Sequence, residues 1–377
     1  MYKMMKKSIA IVVLCVMLLN LSSCTLAEKP SGKEGAVEAT VIEIEKYGHA
    51  VLDITTSDFA GHGYEYGDIV CVSFDSYEAN MPYFDGYYST PGTEMLRGTS
   101  SEDNIAICIN YGDFSNKTGI AIGDHVEITM AEKAGMLTFY ELSALKYSDN
   151  RAEYSDDVTF ANFRAITAGT IGDGKLYRSA SPINNEHGRA SYANNLIAQA
   201  GVATVLNLAD SEEDIAEYCE AEDFDSEYYR SLYESGNVIA LDLNVNFYSD
   251  EFNTTLIEGL RFLAQNDPPY SIHCTEGKDR AGFTAMLLEA MMGATLQEVI
   301  DDYMLSFYNY YEIDKENDPE RYETVLNTNL FTMLYHVTGT ETIEELAQTN
   351  LESAVTNYLL RHGMDESTIQ ALKDKLH

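Results

Sequence analysis

From residue 37 to about 145, apolar and polar positions alternate with a period of two, in runs such as Ala39-Thr40-Val41-Ile42-Glu43-Ile44, Ile69-Val70-Cys71-Val72-Ser73-Phe74, Ile105-Ala106-Ile107-Cys108-Ile109 and Val126-Glu127-Ile128-Thr129-Met130. Alternation sends every second side chain to one face, so these runs predict strands. Turn signals at Gly61-His62-Gly63, Pro91-Gly92 and Gly123-Asp124 punctuate them, and the spacing predicts a small all-β domain, barrel or sandwich. Met81-Pro82-Tyr83-Phe84-Asp85-Gly86-Tyr87-Tyr88 reads as an aromatic loop whose tyrosines pack over a barrel mouth.

The pattern changes after a polar, acid-rich stretch at 148–157, read as a linker. Helical runs at 190–200, 215–220, 254–265, 284–292 and 296–307 then alternate with β-like runs at 203–208, 238–241 and 270–273. This predicts an α/β domain over 158–377 with a central, mostly parallel sheet. At the other end, Lys3, Lys6 and Lys7 precede an apolar run from Ile9 to Leu19 and then Leu21-Ser22-Ser23-Cys24. The run is shorter than the roughly 20 residues a spanning helix needs, so residues 1–23 read as an export signal with a lipobox. Cys24 would be the lipidated first residue, 24–36 a tether, and 37–147 the β domain. The expectation is an exported cell-surface or periplasmic lipoprotein that meets a bacterial membrane only through its N-terminal lipid.

Candidate chemistry concentrates where the predicted strand Tyr270-Ser271-Ile272-His273 runs into Cys274-Thr275-Glu276-Gly277-Lys278-Asp279-Arg280 and then into a helix-forming stretch. In a strand, loop, helix arrangement the loop amides and the helix N-terminus together attract an anion. Gly277 permits the tight curl. The amides of Thr275, Glu276 and Gly277, with the point charge of Lys278, would bind a phosphoryl group, and Arg280 would hold two of its oxygens through the transition state. The same positive cradle favours the thiolate of Cys274, a nucleophile toward phosphorus.

The loop resembles the HCxAGKDRTG signature of a bacterial family of tyrosine and phosphoinositide phosphatases. Asn162-Phe163-Arg164 and Gly172-Asp173-Gly174-Lys175-Leu176-Tyr177-Arg178-Ser179 are similar to that family's NFRDLGG and GxLYRS segments, and Tyr358-Leu359-Leu360, Gly363-Met364 and a closing helix to Leu376 resemble its C-terminal end. The resemblance covers about 158–377. It implies phosphomonoester hydrolysis through a phosphocysteine, with protein phosphotyrosine as first substrate and phosphoinositides or inositol phosphates as the alternative. Three segments depart from the pattern. Ala281 replaces the threonine after the loop arginine, which keeps open a pseudophosphatase that binds phosphorylated ligands without turning them over. Asn207-Leu208-Ala209-Asp210 stands where the family has DLRS, and Ala165-Ile166-Thr167-Ala168 follows Asn162-Phe163-Arg164 in place of DLGG.

The leaving oxygen needs a proton from a group within hydrogen-bond reach. Asp279 ranks first, resembling the loop aspartate proposed as acid in myotubularin-like phosphatases; Asp242, Asp250 and Asp210 are the alternatives.

Charge narrows the partners. With 61 acidic against 24 basic side chains the net charge is −37, a field that repels nucleic acid and anionic membrane faces. A phosphorylated peptide or small phosphoester is the expected partner; a polyanion would depend on local focusing by Lys278, Arg280, and Arg178 or Arg164. Cysteines are few: Cys71 and Cys108 either pair or stay reduced, and Cys219 and Cys274 complete the set beyond Cys24. Without a CxxC or a histidine cluster, neither metal nor cofactor is expected.

Overall fold

The computed structural model describes residues 36–89 and 91–377. The export signal, Cys24 and nearly all of the tether lie outside the described residues. The chain forms two compact units that divide between Tyr140 and Glu141. Among the described residues, no helix is long and apolar enough to cross a membrane.

The first unit is a closed seven-stranded barrel of β1 (Val37–Ile44), β2 (Ala50–Thr55), β3 (Ile69–Phe74), β4 (Tyr77–Phe84), β5 (Glu94–Arg97), β6 (Asn104–Ile109) and β7 (His125–Glu132), in the spatial order β1-β2-β6-β5-β4-β3-β7. Closure comes from the antiparallel pairing of β1 with β7, which matches Val37 to Ile128 and Ala39 to Val126. The inward positions of the alternating runs, among them Val41, Val70, Val72, Ile105, Ile107 and Ile128, make the core. Register shifts interrupt the pairing at three places among the described residues: between Val41 and Glu43, between Val51 and Thr55, and between Ile69 and Val70. In β1 the shift between Val41 and Glu43 follows an outward Ile42, 49% exposed, and puts Glu43 outward and Ile44 partly inward, because the extra residue reverses which face the following side chains take.

The segment expected as an aromatic loop is corrected in part. Met81 to Phe84 finish β4, and Met81, Tyr83 and Phe84 are core residues at 1% exposure or less. Pro82 is tolerated because β4 pairs with β3 antiparallel there but with β5 only at Tyr83 and Phe84. Tyr87 and Tyr88, beyond the strand, are the exposed remainder.

The second unit is built on a five-stranded mixed sheet of β8 (Arg164–Ile166), β9 (Leu176–Ser179), β10 (Thr204–Asn207), β11 (Val238–Ala240) and β12 (Tyr270–His273), ordered β11-β10-β12-β9-β8. The pairs β11·β10, β10·β12 and β12·β9 are parallel, and only the edge strand β8 runs antiparallel. Successive residues of a strand face opposite layers. Val205 accordingly joins Ile197, Ile215, Tyr229 and Leu232 under the helices Ala190–Gln199, Glu212–Glu220 and Glu227–Glu234, while Leu206 joins Leu256, Leu260 and Met286 under Asp250–Gln265 and Arg280–Met291. The helix Arg280–Met291 buries every residue from Ala281 onward, which explains its apolar sequence on all sides. The stretch 148–157 packs into this unit: buried Arg189 donates to the carbonyl of Ser148, the carboxylate of Asp149 and the hydroxyl of Tyr154.

Cys71 on β3 and Cys108 on β6 are thiols, on strands that are not neighbours in the barrel. Burial pushes the Cys108 thiol up to about 12, against a smaller opposing pull from Arg97. Cys108 should therefore resist iodoacetamide at pH 8 in the native protein and react fully in guanidinium, a contrast that peptide mass spectrometry reads directly; equal native and denatured labelling would contradict this burial.

Candidate active site

The carboxyl ends of β9, β10, β11 and β12 converge, as open α/β sheets require of a ligand site. From β12 the chain turns through 274–279 and enters the helix Arg280–Met291. Gly277 holds φ +70°, and a Cβ there would collide with the Ser179 carbonyl, so the loop can lie this close to β9 only with glycine.

The carbonyls of residues 275–278 are held from outside. Ser181 N donates to Thr275 O at 3.0 Å. Glu276 O accepts from Asn162 Nδ2 at 3.1 Å and from Tyr310 Oη at 2.6 Å. Arg178 donates from Nη2 to Gly277 O at 2.7 Å and to Lys278 O at 3.2 Å. In a trans peptide the carbonyl of one residue and the amide of the next point in opposite directions. Anchoring the carbonyls of 275–278 outward therefore turns the amides of Glu276, Gly277, Lys278 and Asp279 inward, and none of these four amides donates to another group among the described residues. The result is a concave set of donors beside Cys274, itself 2% exposed.

Arg280 closes the loop. Its Nη1 donates to Leu243 O at 2.8 Å and its Nη2 to Thr275 Oγ1 at 3.1 Å. Its Nε is buried and has no hydrogen-bond partner among the described residues, a donor that an anion would satisfy. His273, preceding the thiol, is fully buried, and burial pushes it down to about 3, so its ring is neutral. Ala281 is fully buried and supplies no hydroxyl.

A group that the residue pattern did not single out underlies the loop. Asp302, on the helix Leu296–Tyr311, bridges Arg164 Nε at 2.6 Å and Arg178 Nη1. Burial alone would raise its carboxyl, but Arg164 and Arg178 outweigh that and hold it well below the usual range. Neighbouring Glu289, 1% exposed, moves the other way, raised well above the usual value by burial and by the charge of Asp302. The one clue in the sequence is Glu289 itself, an acid inside an otherwise apolar helix. Arg164 and Arg178, expected among the residues that could focus a polyanion, are instead buried at 9% and 0% exposure in this network.

The four candidate acids separate sharply. Asp279 starts the helix with its side chain 41% exposed and 4.0 Å from Lys278. Asp242 is exposed in a left-handed turn (φ +45°), and Asp250 is exposed on the first turn of its helix, on the side of His362. Asp210 is 4% exposed. Asn207, at the end of β10, accepts from the amides of Ala209 and Asp210 and donates Nδ2 to Asp210 Oδ2 at 3.0 Å. Burial raises the Asp210 carboxyl, against opposing pulls from Asn207 and from the charge of Arg280. Lys278 and Glu276 face each other across 2.9 Å. Among the described residues, no cluster of three or more histidine, cysteine or acidic side chains is arranged to hold a metal ion.

A family model described as tyrosine phosphatase family matches residues 159–377, more than half of the chain. The chain belongs to the tyrosine phosphatase family. Membership supports a phosphatase activity in general and a phosphorylated substrate. No curated protein matches the chain. Among solved structures, an uncharacterized conserved protein from Thermotoga maritima is similar over 29% of this chain at 22% identity and a TM-score of 0.24. A conserved hypothetical protein from Thermus thermophilus is similar over 28% at 17% identity and a TM-score of 0.20. The matches span about two-fifths of those chains, 41% and 40%.

In this tyrosine phosphatase domain the Asp302 network makes an unequal prediction. Asp302→Ala leaves two buried guanidinium groups without their anion and should cost about 3–5 kcal/mol in urea unfolding. Glu289→Gln should cost far less, because burial and the charge of Asp302 favour the protonated carboxyl. Since the folded state holds that proton above the ordinary carboxyl value, the parent loses stability as pH rises from about 4.5 toward the raised value; Glu289→Gln should flatten that loss. Equal destabilisation by the two variants at pH 7 would count against this assignment of charge.

Proposed function

We propose that the second unit hydrolyses phosphomonoesters, protein phosphotyrosine first, through a phosphocysteine on Cys274. The observation that carries the reading is a single loop that brings together a buried thiol, four amides turned inward and the unpartnered Nε of Arg280. Cys274 Sγ attacks phosphorus as a thiolate, and the bond from phosphorus to the ester oxygen breaks. The carboxyl of Asp210 gives its proton to that oxygen, releasing tyrosine. Water then attacks the phosphocysteine, its proton passes to the Asp210 carboxylate, and the phosphorus–sulfur bond breaks to regenerate the thiolate and release phosphate. The loop amides and Arg280 bind the equatorial oxygens in both steps. Asp210 takes the acid's role over Asp279 because its burial and raised carboxyl suit proton donation. The export signal and Cys24 support an extracytoplasmic, lipid-anchored setting, where the thiol is exposed to oxidation.

A second reading follows from Ala281. Without a hydroxyl after Arg280, breakdown of the phosphocysteine is slowed, and in the limit the domain binds phosphorylated ligands without turnover.

Phosphate release from a phosphotyrosine peptide, measured on reduced protein, should vanish in Cys274→Ser; release that survives this substitution would rule the mechanism out. Binding of the peptide without release by the parent would select the second reading, and Ala281→Thr should then restore turnover.

Asp210→Asn should lower kcat on the peptide by about 10²–10⁴-fold and p-nitrophenyl phosphate turnover much less, since nitrophenolate leaves without a proton. Because the acid works protonated, parent activity should fall as pH rises through the raised Asp210 value, and this basic limb should disappear in Asp210→Asn. An unchanged limb there, with a lost limb in Asp279→Asn, would move the role to Asp279.

A further inference from the structure

Lys278 is the second cation of the loop and the natural handle for a substrate with more than one phosphate, yet its charge is already engaged. Its Nζ lies 2.9 Å from Glu276 Oε2, donates to Tyr311 Oη at 3.1 Å, and stands 4.0 Å from Asp279 Oδ2. The side chain is 13% exposed and lies beside the rings of Tyr311 and Phe307, 5.3 and 5.6 Å from the ammonium. Glu276 is held just as firmly. Tyr147 Oη donates to Glu276 Oε1 at 2.6 Å, and the Tyr147 ring sits 4.6 Å from that of Tyr310, whose hydroxyl holds the Glu276 carbonyl. The carboxylate is thus hydrogen-bonded at Oε1 and ion-paired at Oε2, with its backbone carbonyl held as well, inside the loop that would receive the phosphoryl group. Tyr147 lies before the segment that the family model matches, so this clamp draws on a residue outside that match.

We propose that Glu276 is a specificity-determining residue, a built-in anion that occupies Lys278 and selects esters carrying one phosphate over esters with neighbouring phosphates, such as inositol polyphosphates. A single phosphoryl group needs only the amides and Arg280. A second phosphate on the adjoining carbon would approach the Glu276 carboxylate and would find no uncompensated ammonium to offset the repulsion. The inference rests on the phosphatase reading above and names its substrate class.

The test uses binding, so that it does not depend on turnover. Isothermal titration on Cys274→Ser protein compares a monophosphorylated tyrosine peptide with inositol hexakisphosphate. The peptide should bind at least tenfold more tightly. Adding Glu276→Gln, which keeps an acceptor for Tyr147, should raise the affinity for inositol hexakisphosphate at least tenfold more than it raises that for the peptide. Equal gains for both ligands, or none, would reduce Glu276 to a structural role and overturn the proposal. Tighter binding of inositol hexakisphosphate than of the peptide before Glu276 is altered would overturn it as well, whatever the stability of the variant. Hydrolysis by the parent is measured separately: its absence would count against the phosphocysteine mechanism while the binding preference is still read.

Discussion

The contact on which the rest of the site depends is the buried bridge from Asp302 to Arg164 and Arg178. A guanidinium with no exposed surface is tolerated only where its charge is matched and its donors are used. Arg178 meets both conditions by giving one nitrogen to Asp302 and the others to the carbonyls of Gly277 and Lys278. The ion pair thereby sets the orientation of two peptides in the loop, and peptide planarity converts that into the direction of two amides. Asn162, Tyr310 and Ser181 do the same for the rest. The polarity of the loop is built from behind, by groups that hold its carbonyls and leave its amides free of partners among the described residues.

This dependence explains what could be read from the chain and what could not. Tyr270–His273 was legible as a strand because a short β-like run stands between a proline pair and a loop motif, and Cys274, Gly277 and Arg280 stood out as candidates because phosphate binding would use such residues close together. Arg178 and Arg164 could be read only as cations. In sequence a buried arginine looks like an exposed one, and its partner Asp302 lies far along the chain on another helix. The same holds for Asp210, whose carboxyl is raised by burial and held in place by Asn207, neither of which spacing reveals. In the barrel, Tyr77–Phe84 was obscured because its second half carries a proline and runs into Asp85-Gly86, so turn chemistry masked a strand that the parallel pairing with β5 completes.

The departures from the family pattern become intelligible at the same level. In Asn207-Leu208-Ala209-Asp210 the asparagine closes a turn with its own side chain and positions the aspartate three residues on. Asn207 also binds the buried hydroxyl of Tyr229, tying this turn to the helix beneath the sheet. The acid of this segment thus stands on a pinned turn, with an amide on the strand.

Charge balance within the loop explains how a chain of net charge −37 can offer an anion a place. Arg178 is neutralised by Asp302, and Lys278 by Glu276 with Asp279 nearby. Arg280 spends two nitrogens on neutral acceptors, Leu243 O and Thr275 Oγ1, which fix the guanidinium without cancelling its charge. Of these three cations it alone has no ion-paired carboxylate within salt-bridge distance among the described residues. Buried Asp210 lies within reach of its field, but with a raised carboxyl that resists ionising. The uncompensated positive charge of the loop therefore resides on Arg280, whose Nε has no hydrogen-bond partner among the described residues. Field falls off within about 8–10 Å at physiological salt, so acids elsewhere on the surface act on what approaches from solvent, while this local imbalance is what a phosphoryl group would meet at the loop.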